Sequence, residues 1–154
     1  MLRSFRIVKL RHAATAFDGE GAWRHGGRWN SRGTRMVYTA ESRALALLEI
    51  LTHTGNAALL AAYGVIEIAF DAALVVALLD ADLPDGWRAS PPPPATQAIG
   101  DRWAADRGSV LMRVPSVLVP EEFNYLLNPA HPGFHKLRIG EPQPLAVDAR
   151  LARR

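Results

Sequence analysis

Eight consecutive residues, Ala44-Leu45-Ala46-Leu47-Leu48-Glu49-Ile50-Leu51, carry seven apolar side chains and one carboxylate. They contain no glycine or proline and read as the middle of a helix from about Ser42 to His53, capped by Thr39 or Ser42. A helix apolar on nearly every face is expected to be buried rather than to lie on a surface. The chain has 154 residues, enough for one domain that buries roughly two thirds of its unfolded surface. An unpaired carboxylate inside such a helix is costly. Glu49 therefore sits at a helix edge, reaching water or a structural Arg, or it faces a ligand from an apolar pocket wall.

Around this helix the pattern is mixed. Phe5-Arg6-Ile7-Val8 predicts a short strand. The segment from Phe17 to Gly33 holds Gly19, Gly21, Gly26, Gly27 and Gly33, too many for a regular element, and predicts an ordered loop or a run of turns. Met36 to Thr39 predicts the next strand, and Val65 to Phe70 alternates well enough to be another. Ala73 to Leu79 is apolar but undecided, Asp80 to Trp87 is turn-rich, and Pro91 to Pro94 predicts an extended surface connection. Thr96 to Asp106 predicts a second helix with Ala95, Ile99 and Trp103 on one face. Ser109 to Val114 is a strand stopped by Pro115. Pro120, Pro129 and Pro132 break up the next stretch of chain, and a last strand falls at Leu137–Ile139 or Leu145–Val147. Without a clean βαβ alternation the class is α+β, with a mixed or antiparallel sheet. No repeat or boundary divides residues 1–154, so a single compact domain is expected.

Several function classes are excluded. The chain has no Cys, which removes a disulfide scaffold, thiol catalysis and cysteine-based zinc sites. With 49% hydrophobic residues and a net charge of +3, disorder is not expected. The most apolar region, Ala57 to Leu79, is broken by Glu67 and Asp71, and the N-terminus intersperses basic residues, so neither a membrane span nor a signal peptide is expected. The cytoplasm is the default compartment. Basic residues are scattered, with no run suited to nucleic acid. His131 and His135 are separated by Pro132 and Gly133, and His12, His25 and His53 fall in no ligand spacing, so no metal site is expected. Nor is there a phosphate-binding glycine loop.

A few polar residues remain for chemistry. In Gly26-Gly27-Arg28-Trp29-Asn30 the glycines allow close backbone approach, and Arg28 suits a bidentate phosphate or carboxylate contact; the alternative is a loop Arg stacked on Trp23 or Trp29. Arg6, between apolar strand positions, faces either solvent or a site. Tyr38 is a strand tyrosine, half-buried as such residues usually are. Ser116 comes after a strand without a G-x-S-x-G turn, which argues against a nucleophile but not against a ligand hydrogen bond. A carboxylate, one or two arginines and a tyrosine suit an anionic ligand that ionises at a sugar carbon.

The ordered strings are more specific. Gly26-Gly27-Arg28-Trp29-Asn30, Val37-Tyr38-Thr39-Ala40-x-Ser42-x-Ala44-Leu45-Ala46-x-Leu48-Glu49, Val114-Pro115-Ser116 and Glu122-x-Asn124-x-x-x-Asn128-Pro129-x-His131-Pro132 together resemble the RES domain. This is the toxin half of a bacterial toxin–antitoxin system whose antitoxin is an Xre-like helix-turn-helix protein. The Arg, Glu and Ser of the family name fall on Arg28, Glu49 and Ser116, and the match runs from Phe5-Arg6 to about His135. The resemblance implies a fold similar to the ADP-ribosyltransferase toxins and an activity that consumes NAD as substrate, with no resident cofactor. It implies that Arg6, Arg28, Tyr38 and Glu49 line the NAD cleft with Ser116, while Asn30, Asn128 and His131 shape the pocket.

On that reading nicotinamide leaves through an oxocarbenium-like state, related to glycoside hydrolysis. Glu49 stabilises the ribosyl cation, Arg28 and Arg6 hold the pyrophosphate or position the acceptor phosphate, and Tyr38 stacks on the nicotinamide or its ribose. Water, inorganic phosphate or, as in some relatives, a protein is the acceptor. A nucleic-acid-binding or RNase-like toxin is a third reading, but the chain lacks a His pair and an aromatic-basic platform for it. The resemblance also implies an antitoxin that covers the cleft. Self-association and the antitoxin-binding surface are left open.

Overall fold

The computed structural model describes residues 1–152. In chain order the elements are β1 (Leu2–Lys9), α1 (Glu20–His25), β2 (Val37–Ala40), α2 (Arg43–Thr54), β3 (Tyr63–Phe70), β4 (Val75–Ala77), α3 (Pro94–Asp106), β5 (Leu111–Pro115), β6 (Phe123–Leu127), β7 (Arg138–Ile139) and β8 (Gln143–Pro144). Short 3-10 turns, among them Leu10–Thr15 and Ala57–Ala62, fill the connections.

The strands form one sheet in the order β4-β5-β6-β2-β1-β3-β7, with β8 also beside β3. Every pairing is antiparallel except β4 with β5. This is the mixed, α+β sheet that the sequence predicts. β1 runs against β3 from Leu2↔Phe70 to Lys9↔Tyr63, and β2 against β6 from Val37↔Leu127 to Ala40↔Asn124. Between these ladders, β1 and β2 meet at a single register position, Phe5↔Ala40. The sheet is two ladders joined at a narrow seam.

Alternation assigns the faces. Phe5, Ile7, Tyr63 and Val65 pack with Leu45 and Ala46 of α2. Met112, Val114 and Leu126 pack with Trp103 and Ala104 of α3. Ala40 belongs to the first cluster and Tyr38 to the second. Because these two lie two residues apart on β2, both helices cover the same face, one over each ladder. The reverse face, with Val37, Ile68, Phe70, Leu111, Tyr125 and Leu127, is covered by connecting segments through Phe17, Leu74 and Phe134.

Local chemistry explains the helices. Ser42, not Thr39, caps α2: its Oγ accepts from the Leu45 N–H at 3.0 Å. α3 starts at Pro94, two residues earlier than predicted, where proline's fixed φ suits the first turn. Its buried face is Thr96, Gly100, Trp103 and Ala104, with Ile99 half-buried and Ala95 exposed. Gly100 allows α3 to approach the backbone of Trp29: a Cβ there would overlap the Trp29 carbonyl.

Three expectations are corrected. α2 is not enclosed: only Leu45 and Ala46 are fully buried, and Leu48 is 45% exposed. The helix lies on the sheet by one stripe, and no further layer covers its outer side among the described residues. The glycine-rich segment is not turns alone, since α1 forms between Gly19 and Gly26. The segment after Pro115 contains a central strand, β6, in place of a broken loop. Of the two positions expected for the last strand, the structure has the first: β7 takes the Leu137–Ile139 position, and a further short strand, β8, precedes Leu145. The undecided apolar run becomes the edge strand β4. No helix among the described residues is long and apolar enough to cross a membrane.

Candidate active site

Glu49 extends from α2 towards the adjoining ends of β5 and β6. Its Oε1 accepts two hydrogen bonds, from the Ser116 hydroxyl at 2.9 Å and from Asn124 Nδ2 at 2.9 Å. Ser116 lies just past β5 and is fully buried. Its Oγ accepts from the Leu118 and Val119 N–H groups at 3.1 and 3.3 Å, so its own proton is directed to Glu49. A serine held this way is a donor, not a nucleophile. Oε2 of Glu49 has no partner among the described residues, and Glu49 forms no ion pair there. Of the two readings from sequence, the structural Arg partner is absent among these residues and the carboxylate keeps one oxygen open.

Arg28 lies on the glycine-rich segment. Its Nη1 donates to the Trp87 and Ala89 carbonyls, each at 2.8 Å. Partial burial lowers the guanidinium pKa, and the negative charge of Glu49 is the larger of two opposing influences. The two side chains therefore share one electrostatic environment. Arg28 does not stack on Trp23, whose ring lies under Arg35 at 5.7 Å. Arg88 donates to Val117 O at 2.8 Å, so the Trp87–Ala89 segment is tied both to Arg28 and to the residue after Ser116.

α3 serves as the template for this wall. Gln97 donates to Gly27 O at 3.1 Å, and Asp101 accepts from the Ser31 N–H and hydroxyl. Tyr38, on β2, reaches the same wall. Its hydroxyl donates to Asn30 Oδ1 at 2.6 Å and accepts from the Trp29 N–H at 3.1 Å. A Cβ on Gly27 would lie 2.7 Å from that hydroxyl, so glycine is required by the contact. Burial pushes the Tyr38 phenol well above its ordinary value, which keeps it neutral. Asn30, fully buried, donates Nδ2 to the Ala22, Ser31 and Thr34 carbonyls and thereby knits the turn that presents Arg28.

Arg6 alternates with Phe5 and Ile7, so it starts from the reverse face and turns into the seam. Its Nε donates to Ala16 O at 2.8 Å and its Nη1 to Tyr38 O at 2.9 Å. Burial lowers its pKa to about 10, only partly offset by Asp18. Arg6 also lines a cavity of about 460 Å3 with Lys9, His12, Ala22, Arg24 and Met36; Glu49, Arg28 and Ser116 are not in that lining. Asn128 and His131 lie beyond the opposite end of β6 from Asn124. Asn128 Nδ2 donates to Ala104 O at 2.9 Å, and His131 Nδ1 accepts from the Gly133 N–H at 2.8 Å. Both are engaged in holding the fold.

The structure thus joins Glu49 to Ser116 by a hydrogen bond and leaves Arg28 within the electrostatic influence of Glu49. It connects Tyr38 and Asn30 to the turn that carries Arg28, and engages Arg6, Asn128 and His131 elsewhere. Asn124 is a site residue that sequence reasoning misses. It stands in one of the ordered motifs, but its role becomes visible only once β6 is recognised as a strand beside β5. Among the described residues, no group of three His, Asp or Glu side chains is arranged to hold a metal.

Comparison with known proteins finds relatives along nearly the whole chain. The model of the RES domain family matches residues 3–148. "Toxin Res" of Yersinia enterocolitica is 38% identical over 148 residues, covering 96% of this chain and 97% of the relative. "Prs ADP-ribosylating toxin" of Sphingobium sp. is 38% identical over 146 residues, covering 93% and 91%. A solved structure, the M. tuberculosis MbcT–MbcA toxin–antitoxin complex, contains a chain that superposes with a TM-score of 0.67 at 21% identity, over 94% of this chain and 84% of that one; this likeness concerns the fold. With a family match that extends from β1 past β8, and relatives aligned over nearly their whole length, the chain belongs to the RES domain family.

Proposed function

We propose that this protein is the toxin of a toxin–antitoxin pair and that it cleaves the nicotinamide–ribose bond of NAD, with water or inorganic phosphate as acceptor. The toxin assignment is supported by the names of its relatives and by the structural neighbour's presence in a toxin–antitoxin complex. The enzymatic assignment is carried by one observation: a carboxylate, Glu49, fixed through one oxygen by Ser116 and Asn124, with the other oxygen unpartnered among the described residues and Arg28 within its field.

In the proposed reaction the bond between the ribosyl carbon and the pyridinium nitrogen breaks, and its electron pair returns to the nitrogen. Nicotinamide then leaves neutral and needs no general acid, which fits a site with one carboxylate. Glu49 stabilises the positive charge on the ribosyl carbon and accepts a hydrogen bond from the 2″-hydroxyl of the same sugar. Water adds to that carbon and loses a proton, giving ADP-ribose; phosphate gives the corresponding 1″-phosphate. A pre-placed charge of this kind lowers the barrier by about 3 kcal/mol. The Nε and Nη2 groups of Arg28 have no partner among the described residues and are offered to the pyrophosphate. Tyr38 is a neutral aromatic wall for the ribose end. Arg6 and Asn30 act on the site through the Tyr38 strand and the Arg28 turn, and Asn128 and His131 act through the fold.

The partner would be an Xre-like antitoxin that covers the cleft, with any DNA contact made by that partner. The site of action would be the cytoplasm, where NAD is available. The name of the Sphingobium relative favours a second reading, transfer of ADP-ribose to a protein. Incubation with NAD labelled in the ADP-ribose half, with and without phosphate, separates the readings. Label recovered as small molecules, with the product changing when phosphate is added, supports phosphorolysis; an unchanged product supports hydrolysis. Label retained on a macromolecule supports the transferase.

A further inference from the structure

We propose that Asn124 is a positioning residue for the Glu49 carboxylate, and that with Ser116 it sets which oxygen faces the substrate. The inference rests on the reading of Glu49 given above and concerns what holds that side chain in place.

Two donors converge on one oxygen. Asn124 lies on β6, opposite Val114 of β5 and Ala40 of β2, and Ser116 lies just beyond the end of β5. The small Ala40 side chain shares the helix-bearing face of the sheet with Asn124. Both donors are neutral, so neither opposes a negative charge as a hydrogen-bonded arginine would. Both bonds go to Oε1. Rotation about the terminal torsion, otherwise broad for Glu, would break both at once.

The cost of this arrangement is visible on Asn124 itself. Its Oδ1 is buried with no hydrogen-bond partner among the described residues. A buried carbonyl without a partner destabilises a fold, and a leucine of similar volume would carry no such penalty. What the amide supplies in return is the Nδ2–H bond to Glu49. Asn124 is not a catalytic residue: it acts through Glu49.

The test uses Asn124→Leu and Asn124→Asp, two substitutions of similar size that remove the donor, the second adding a negative charge beside Glu49. Two quantities are read on the full chain: NAD turnover, and the carboxyl 13C resonance of Glu49, assigned by its loss in Glu49→Gln. Both variants are expected to lower kcat about 10- to 100-fold while KM changes less than about threefold, with Asn124→Asp the slower. In both the Glu49 resonance is expected to shift. Should Asn124→Leu unfold, Asn124→Asp, which keeps the shape of the side chain, carries the same comparison. A folded variant with wild-type kcat and an unmoved Glu49 resonance overturns the proposal, as does a loss confined to KM. Wild-type protein that consumes no NAD overturns the reading of the site instead; the resonance reports on Asn124 independently of turnover.

Discussion

Glu67, Glu20 and Asp148 are each held by an arginine, whereas Glu49 is held by a hydroxyl and an amide. That difference is the residue-scale basis of the account, because neutral donors orient a charge without cancelling it. Ser116→Ala removes one donor and is expected to reduce NAD turnover about 10-fold or more, with the fold losing about 1 kcal/mol in chemical denaturation. Tyr38 gives a second prediction. Unfolded tyrosine ionises near pH 10, while burial holds the folded phenol protonated well above that. As pH rises above about 10 the unfolded chain releases a proton that the native state keeps, so stability falls with increasing pH. Arg6, with its pKa lowered to about 10, gives an opposite slope common to both proteins. Denaturation midpoints measured from about pH 9 to 11 should therefore fall more, or rise less, with pH in the wild type than in Tyr38→Phe. Tyr125, also pushed up by burial, leaves a residual slope. Glu49 is legible in the sequence because a carboxylate in an apolar helix requires a reason. Asn124 is not, since an amide between Glu122 and Pro129 resembles a turn until its strand neighbours are known.

At the scale of elements, α3 makes the active-site wall rigid. Gln97, Gly100 and Asp101 lie along one side of it and hold Gly27, Trp29 and Ser31, the residues around Arg28. Gly100→Ala would force the Trp29 backbone outward. It is expected to destabilise the protein by about 2–3 kcal/mol and to impair turnover by displacing Arg28; urea denaturation and steady-state kinetics on the same preparation check both. α2 is legible from its Ser42 cap and apolar run and α3 from its periodicity, whereas α1 is hidden among the glycines that flank and enter it. The sequence of α2 reads as buried because composition states what a helix could bury, and only tertiary structure states whether anything covers it. β6 escapes detection because Pro120 and Pro129 flank it closely. Five residues suffice for a central strand when β2 and β5 supply partners on both sides, and that context overrides local propensity.

Across the whole molecule, the seam between β1 and β2 organises the rest. The mixed sheet is legible from the lack of βαβ alternation, but the seam is not, since no local pattern records a ladder of one pair. Arg6 bonds across it to the Tyr38 carbonyl. Its hydrogen bonds stabilise, while burial of its charge opposes them, as the pKa of about 10 records. Arg6→Met is therefore expected to cost only about 1–2 kcal/mol net, measured as a lower denaturation midpoint. All of this converges on a carboxylate held by two neutral donors with one oxygen unpartnered among the described residues. The most direct measurement is nicotinamide release from NAD by wild type and by Glu49→Gln at equal concentration, with circular dichroism confirming equal folding. The account predicts steady release by the wild type and a rate lower by about 100- to 1000-fold in the folded variant. Equal rates from the two proteins would contradict it.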